Sequence, residues 1–447
     1  MRHRRLVVIG GGAAGMSAAA KAARVDHDLE ILVYEKGQFI SFAACGIPYF
    51  VAGDVPDYQA LIQRTPAQMA KQGVDVHLRH TVIALDLQGR TVHVHDLEGD
   101  RKFLKDYDNL IIGSGARPIR PPLSGSDLAG IFGVRSLESG LAIQKFLAKR
   151  QPRRAVVVGG GYVGLEMAEA FRRKGLDVTM AIRSGKVMRA TLDDDVRELV
   201  AQELTRQGVT VVQGTPVAFE GSHKVEAVLT EGSRYRCGIA LLSMGAQPNV
   251  ELAQGAGVAL GATGAIATDS AMHTNVPGVN AAGDCAEALH LVTGEPAYIP
   301  LGSTANKQGR VAGTNAAGGT ATFGGIVGTT VVRVFDLAVA STGLTAERAR
   351  SYGYSVRETM IRAGDISHYF PGASQIHVKL VVQEDSGRLL GGQIVGRRGV
   401  AKRIDVLATA LYNRMTVADL RQLDLSYAPP FAPVWDPILV AANVAAK

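Results

Sequence analysis

One cysteine in this sequence stands where a thiol could react. It occurs in Ser41-Phe-Ala-Ala-Cys45-Gly-Ile-Pro-Tyr-Phe50, with glycine directly after it and proline three residues on. That pattern predicts a turn entering a helix, and a helix N-terminus lowers a thiol's pKa and makes thiolate available. The other two cysteines have different surroundings. Cys237 precedes an apolar strand and Cys285 directly follows Asp284, so both are expected to be small packing residues. Three cysteines make no disulfide framework and point to a reducing cytoplasm. No pair has the spacing of metal ligands and the histidines do not cluster with cysteines, so no metal site is expected.

A second chemistry, phosphate binding, is carried by glycine. The chain has 52 glycines, about 12 % against an average near 7 %. Leu6-Val-Val-Ile-Gly10-Gly-Gly12-Ala-Ala-Gly15 reads as a buried strand, a Gly-x-Gly-x-x-Gly turn and a helix through Arg24. Ala155-Val-Val-Val-Gly159-Gly-Gly161-Tyr-Val-Gly164 repeats it, with a helix from Leu165 to Lys174 and Gly175 as the stop. The repetition continues downstream, where Leu110–Pro118, with Gly115, resembles Leu241–Pro248, with Gly245. Two such copies predict two doubly wound dinucleotide-binding units, each with pyrophosphate at its helix N-terminus.

The residue that ends the next strand separates the two ligands. Ile31-Leu-Val-Tyr-Glu35 ends in a carboxylate 20 residues beyond Gly15, where a ribose 2′-hydroxyl acceptor belongs, and Lys36 adjoins it. Asp177–Ile182 ends without an acid and runs into Arg183, with Lys186 and Arg189 nearby. A cation in place of a carboxylate fits a 2′-phosphate and favours NADPH over NADH.

These sites need several domains to hold them, and 447 residues suit two to four. Apolar residues at 47 % and charged residues at 20 % are those of a globular chain. No apolar run is long enough for a membrane span, so no membrane role is expected. The net charge of +7 lacks any block of five basic residues, which suits small polyanions better than nucleic acid. From about residue 326 alternating runs such as Thr329–Phe335 and Gln375–Val382, with helices at 345–352 and 400–413, predict an α+β unit with an antiparallel sheet.

Thr274-Asn-Val-Pro-Gly-Val-Asn-Ala-Ala-Gly283-Asp284 adds a strand ending in a Gly-Asp turn. With it, nearly the whole chain resembles the flavoproteins of the pyridine nucleotide–disulfide oxidoreductase family. The resemblance implies that the first unit binds FAD, with Asp284 on the ribityl chain, and that the second binds the nicotinamide cofactor. It implies an α/β fold of two doubly wound, Rossmann-like domains plus a C-terminal α+β dimerisation domain, assembled as a homodimer. The expected boundaries are 1–120 with 250–325 for FAD, 121–249 for NAD(P) and 326–447 for dimerisation.

Disulfide reductases of the family use two cysteines flanking four residues. Here the second position is Phe50, so Cys45 works alone. Single-cysteine oxidases and peroxidases of the family carry a histidine in the first turn, where this chain has Ala13. Ser41-Phe-x-x-Cys45-Gly-x-Pro-Tyr, Lys402–Leu407 and Tyr427–Pro437 instead resemble the coenzyme A-disulfide reductases and the CoA-dependent persulfide or polysulfide reductases. In those proteins the cysteine forms a mixed disulfide with CoA. The matching CoA positions are Ser17, Lys21, Arg24 and Ser41, with Lys71, Asn306 and Lys307 as further candidates. Ser17, Lys21 and Arg24, spaced by four and three, share one helical face, and a cation pair there suits an adenosine 3′-phosphate.

Tyr369 and Tyr427 match tyrosines that the family brings across the dimer to the substrate sulfur, where a phenol can donate a proton to a leaving thiolate. The implied substrates are CoA disulfide, CoA persulfide or polysulfide, with FAD, NADPH or NADH, and a resident CoA, as cofactors. Two other readings stay open: an NAD(P)H oxidase or peroxidase cycling through a cysteine sulfenic acid, and a flavin- and CoA-binding redox sensor with negligible turnover.

Overall fold

The computed structural model describes residues 4–446. Strands that are apolar on both faces assemble into parallel sheets covered by helices. Arg5–Ile9, whose Leu6, Val7 and Val8 are fully buried, is the middle strand of the first. This sheet is parallel throughout, in the order Val279–Ala281, Asn109–Ile112, Arg5–Ile9, Glu30–Glu35, Val74–Leu78. The second follows the same plan around Arg154–Val158, with Asp177–Ile182 and Val209–Gln213 on one side and Ile239–Leu242 and Ile131–Phe132 on the other. All its strands fall between two neighbouring strands of the first sheet, Asn109–Ile112 and Val279–Ala281. The repeat in the sequence is thus a repeat in space, one copy inserted into the other.

The glycine-turn helices span Ala13–Val25 and Tyr162–Arg173. Both start earlier than predicted, because the third glycine lies inside the first helical turn instead of preceding it. A Cβ at Gly15 would stand 1.9 Å from the Gly10 carbonyl oxygen, and one at Gly164 2.5 Å from that of Gly159. Only glycine lets the helix lie that close to its own strand. Helix Gly302–Ala316 packs on Ala13–Val25 just as tightly, since a Cβ at Gly309 or Gly313 would meet the Ala14 or Ala18 carbonyl at 2.2 Å.

The C-terminal unit is a five-stranded antiparallel sheet, in the order Thr330–Val334, Leu337–Gly343, Leu389–Gly396, Gln375–Gln383, Val356–Gly364. Helix Ala346–Ser351 is capped by Thr345, and helices Val400–Tyr412 and Pro437–Ala445 cover the sheet. Its core includes Val378, Leu380, Leu407 and Ile438, all fully buried. Truncating any of these leucines to alanine costs about 2–5 kcal/mol.

Candidate active site

The first glycine turn is shaped for close approach. Gly10 has φ +100°, and a Cβ there would lie 2.3 Å from the Gly113 carbonyl oxygen. Gly12 caps the helix, and a Cβ on it would face open space, which leaves the N-terminal N–H groups accessible to a phosphate. Glu35 is drawn against this turn, each carboxylate oxygen accepting one backbone N–H at 2.6 Å, from Gly11 and from Gly37. Each oxygen keeps a lone pair for a ribose hydroxyl. Lys36 is exposed. Asp284 joins the same cleft, because a Cβ on its neighbour Gly283 would come within 2.6 Å of the Ala14 Cβ. Its carboxylate is held by Arg135, whose Nε also donates to the Ala116 carbonyl at 3.1 Å, directly after Gly115. These residues fit a flavin dinucleotide.

The second turn has the same geometry. Gly159, at φ +108°, would place a Cβ 2.1 Å from the Ser243 carbonyl oxygen, two residues before Gly245, and Gly161 again faces open space. Of the three cations beyond the neighbouring strand, Lys186 is paired with Asp194 at 2.9 Å and Arg189 reaches Glu347 at 3.9 Å. Arg183 is exposed, with no hydrogen bond or ion pair among the described residues.

Cys45 lies in a single 3₁₀ turn, Ala44–Gly46, ahead of helix Ile47–Ala52. Ser41, in the left-handed region at φ +44°, fastens this segment: its N–H donates to the Gly11 carbonyl at 2.8 Å and its carbonyl accepts from Gln63 N–H at 2.8 Å. The reactive segment is thereby tied to the first glycine turn. All three cysteines are free, Cys45 exposed and Cys237 and Cys285 buried. Cys285 Sγ donates to the carbonyls of Ile112 and Ala282, as a packing residue does.

The expected lowering of the Cys45 pKa is not found. The side chain reaches solvent, but burial among the surrounding atoms pushes the thiol up, Glu166 and Asp284 push the same way, and only Arg135 and a backbone hydrogen bond oppose them. The following helix has six residues and starts two positions after the cysteine, so its dipole is outweighed by burial and, after it, by these carboxylates.

Tyr369 and Tyr427 are brought together. The Tyr369 phenol is the main influence that raises the Tyr427 pKa. Arg403 fastens the two segments: its Nε donates to Asp436 at 2.9 Å and its Nη2 to the Asp365 carbonyl at 2.9 Å. Both tyrosines are exposed, as are Phe431, Val434 and Trp435 in the same C-terminal unit.

Of the proposed CoA positions, Ser17 and Asn306 are brought together. Ser17 Oγ donates to Asn306 Oδ1 at 2.6 Å, across the close crossing of Ala13–Val25 and Gly302–Ala316. Lys21, Arg24 and Lys307 lie along that crossing, and none of them, nor Lys71, has an ion pair among the described residues. Sequence reasoning missed Arg135, Tyr49, Glu166 and Arg333. Glu166 carried a signal, as an acid amid apolar residues in the second glycine motif. No local pattern marks the others.

Residues 4–309 match the profile of the pyridine nucleotide-disulphide oxidoreductases, and residues 329–437 that of their dimerisation domain. The chain is 40 % identical over 439 residues to the CoA-dependent NAD(P)H sulfur oxidoreductase of Pyrococcus abyssi, covering 98 % of this chain and 97 % of that one. The NAD-dependent persulfide reductase of A. fulgidus superposes with a TM-score of 0.96 at 38 % identity, over 99 % of this chain and 83 % of that one. An engineered water-forming NADPH oxidase from Lactobacillus brevis, bound to NADPH, gives 0.95 at 30 % identity, over 99 % and 98 %. With both profiles covering most of its length, the chain belongs to the pyridine nucleotide-disulphide oxidoreductase family.

Proposed function

We propose that this chain reduces CoA disulfide, CoA persulfide or polysulfide with NAD(P)H through Cys45, as a cytoplasmic FAD-dependent homodimer. The observation that carries the reading is one exposed cysteine, tied by Ser41 to the first glycine turn and accompanied by a strip of unpaired cations. FAD, when bound, takes hydride from NAD(P)H and passes two electrons to sulfur.

Residues 1–120 with 250–325 hold FAD through Gly10, Gly12, Gly15, Glu35, Lys36, Gly115 and Asp284. Residues 121–249 hold NAD(P)H at Gly159, Gly161, Gly164 and Gly245. Arg183, without a partner among the described residues, takes a 2′-phosphate and favours NADPH. In the engineered oxidase bound to NADPH, a consecutive Asp-Ala-Met has become Ala-Arg-Ser; here Ile182-Arg183-Ser184 ends the strand with the same Arg-Ser pair and no acid.

Ser17, Lys21, Arg24, Ser41, Lys71, Asn306 and Lys307 hold CoA so that its sulfur meets Cys45. The Cys45 thiolate attacks one sulfur of the disulfide. The old S–S bond breaks, a Cys45–S–S–CoA bond forms, and the other sulfur leaves as a thiolate that takes up a proton. Across the dimer formed by residues 326–447, Tyr369 and Tyr427 of the partner subunit hydrogen-bond that leaving sulfur. Replacing Cys45 by serine should abolish disulfide-dependent NADPH oxidation while FAD stays bound. Full turnover in Cys45→Ser would refute the reading.

A further inference from the structure

A set of charges behind Cys45 joins three parts of the molecule. Tyr49, one helical turn after the cysteine, donates to Glu166 Oε1 at 3.2 Å, on the second glycine-turn helix. Arg333, from the first strand of the C-terminal sheet, lies over the Tyr49 ring, with Cζ 4.7 Å from its centroid. Arg333 pairs with Asp54 at 2.5 Å and with Glu169 at 3.0 Å. Arg173 closes the set on the same two acids, at 2.5 Å and 3.0 Å. Three carboxylates thus face two guanidiniums, and both guanidiniums are committed to Asp54 and Glu169. Glu166 is left with a phenol as its hydrogen-bond partner.

We propose that Glu166 is a positioning residue for the thiol: whether it carries a proton decides how readily Cys45 loses its own. The inference rests on the reading of Cys45 as the reacting sulfur. Burial pushes the Glu166 carboxyl up to about 7 and Glu169 adds to this, against the Tyr49 hydrogen bond and the charge of Arg333. It therefore changes charge near neutral pH. Ionised, it opposes a second negative charge at Cys45; protonated, it does not. Arg135 and Asp284 also act on Cys45, with opposite signs.

The test is the pH dependence of iodoacetamide alkylation in the reduced holoenzyme, with the labelled peptide identified. Glu166→Gln should move the alkylation midpoint to lower pH and quicken labelling at pH 8 about threefold. Glu166→Asp should keep the native midpoint. Tyr49→Phe removes the donor that stabilises the carboxylate, so it should shift the profile in the same direction near neutrality. A purely structural role would change the rate at every pH and leave the midpoint in place. Coincident midpoints for the native protein and Glu166→Gln overturn the proposal. If Glu166→Gln does not fold, labelling of Tyr49→Phe at pH 7 that is no faster than in the native protein does so. Label on Cys237 or Cys285 in place of Cys45 overturns the proposed function instead.

Discussion

Replacing Arg403 by methionine should loosen the tip that carries both phenols. Arg403 is 6 % exposed and Asp436 7 %, so their pair is buried. Methionine keeps an unbranched chain of similar reach, so what is lost is the charge and its hydrogen bonds. Asp436 would keep one partner, the Ile438 N–H that it accepts at 2.9 Å as the cap of helix Pro437–Ala445. Breaking a buried pair from one side costs about 3–5 kcal/mol, and the retained cap places this case near the lower end. At about 3–4 °C per kcal/mol for a domain of this size, the thermal midpoint should fall by about 10 °C. Calorimetry of the holoenzyme measures it. Asp436→Asn keeps a cap acceptor and removes the stranded charge, so the double variant should recover part of the loss. Disulfide-dependent turnover should fall as well, while NADPH oxidation with a dye acceptor is unchanged. A fall of under about 2 °C, or an asparagine that adds to the loss, would refute the clamp.

Three further outcomes follow from the same structure. Arg183→Ala should raise KM for NADPH about ten- to hundredfold and leave NADH unaffected, the loss of one charge-assisted contact of about 1.5–3 kcal/mol; equal effects on both cofactors would contradict it. Lys21→Ala with Arg24→Ala should raise KM for CoA disulfide about tenfold but not for inorganic polysulfide, which initial rates at fixed ionic strength distinguish. His290, 2 % exposed and with neither ring nitrogen bonded, is pushed down to about 4 by burial and by Arg348. The unfolded chain takes up that proton near pH 6.5 and the folded one does not, so stability is complete above about 6.5 and falls as pH drops towards 4. The loss reaches about 3 kcal/mol, and urea titrations at pH 7 and 4.5 should show it in the native protein but not in His290→Leu.

The two glycine turns were legible because each requirement is local. Gly10 and Gly159 need a positive φ, and Gly15 and Gly164 need a missing Cβ against a carbonyl a few residues away. The helix starts were misplaced for the same reason, since the third glycine does its packing from inside the helix. What surrounds Cys45 was not legible. Glu166 and Arg135 act on it from separate segments, and no spacing rule connects them. The thiol's direction of shift was misjudged on that account: the local helix was visible in the sequence, but the burial of the thiol and the distant carboxylates were not. Arg403 and Asp436 both stood in runs that marked the family resemblance, yet only folding reveals that they hold each other and, through Asp365, the Tyr369 segment. For the proposed CoA positions, Ser17, Lys21, Arg24, Asn306 and Lys307 were all named from the sequence, but not the close crossing, allowed by Gly309 and Gly313, that bonds Ser17 to Asn306.

The central claim is that Cys45 shares a disulfide with a small thiol. Mass spectrometry of the non-reduced holoenzyme after exposure to CoA disulfide, with peptide mapping, tests it most directly. The account predicts one CoA-sized adduct, on the peptide containing Cys45, released by NADPH. An adduct on Cys237 or Cys285, or an unmodified Cys45 in protein that still turns over CoA disulfide, would contradict it.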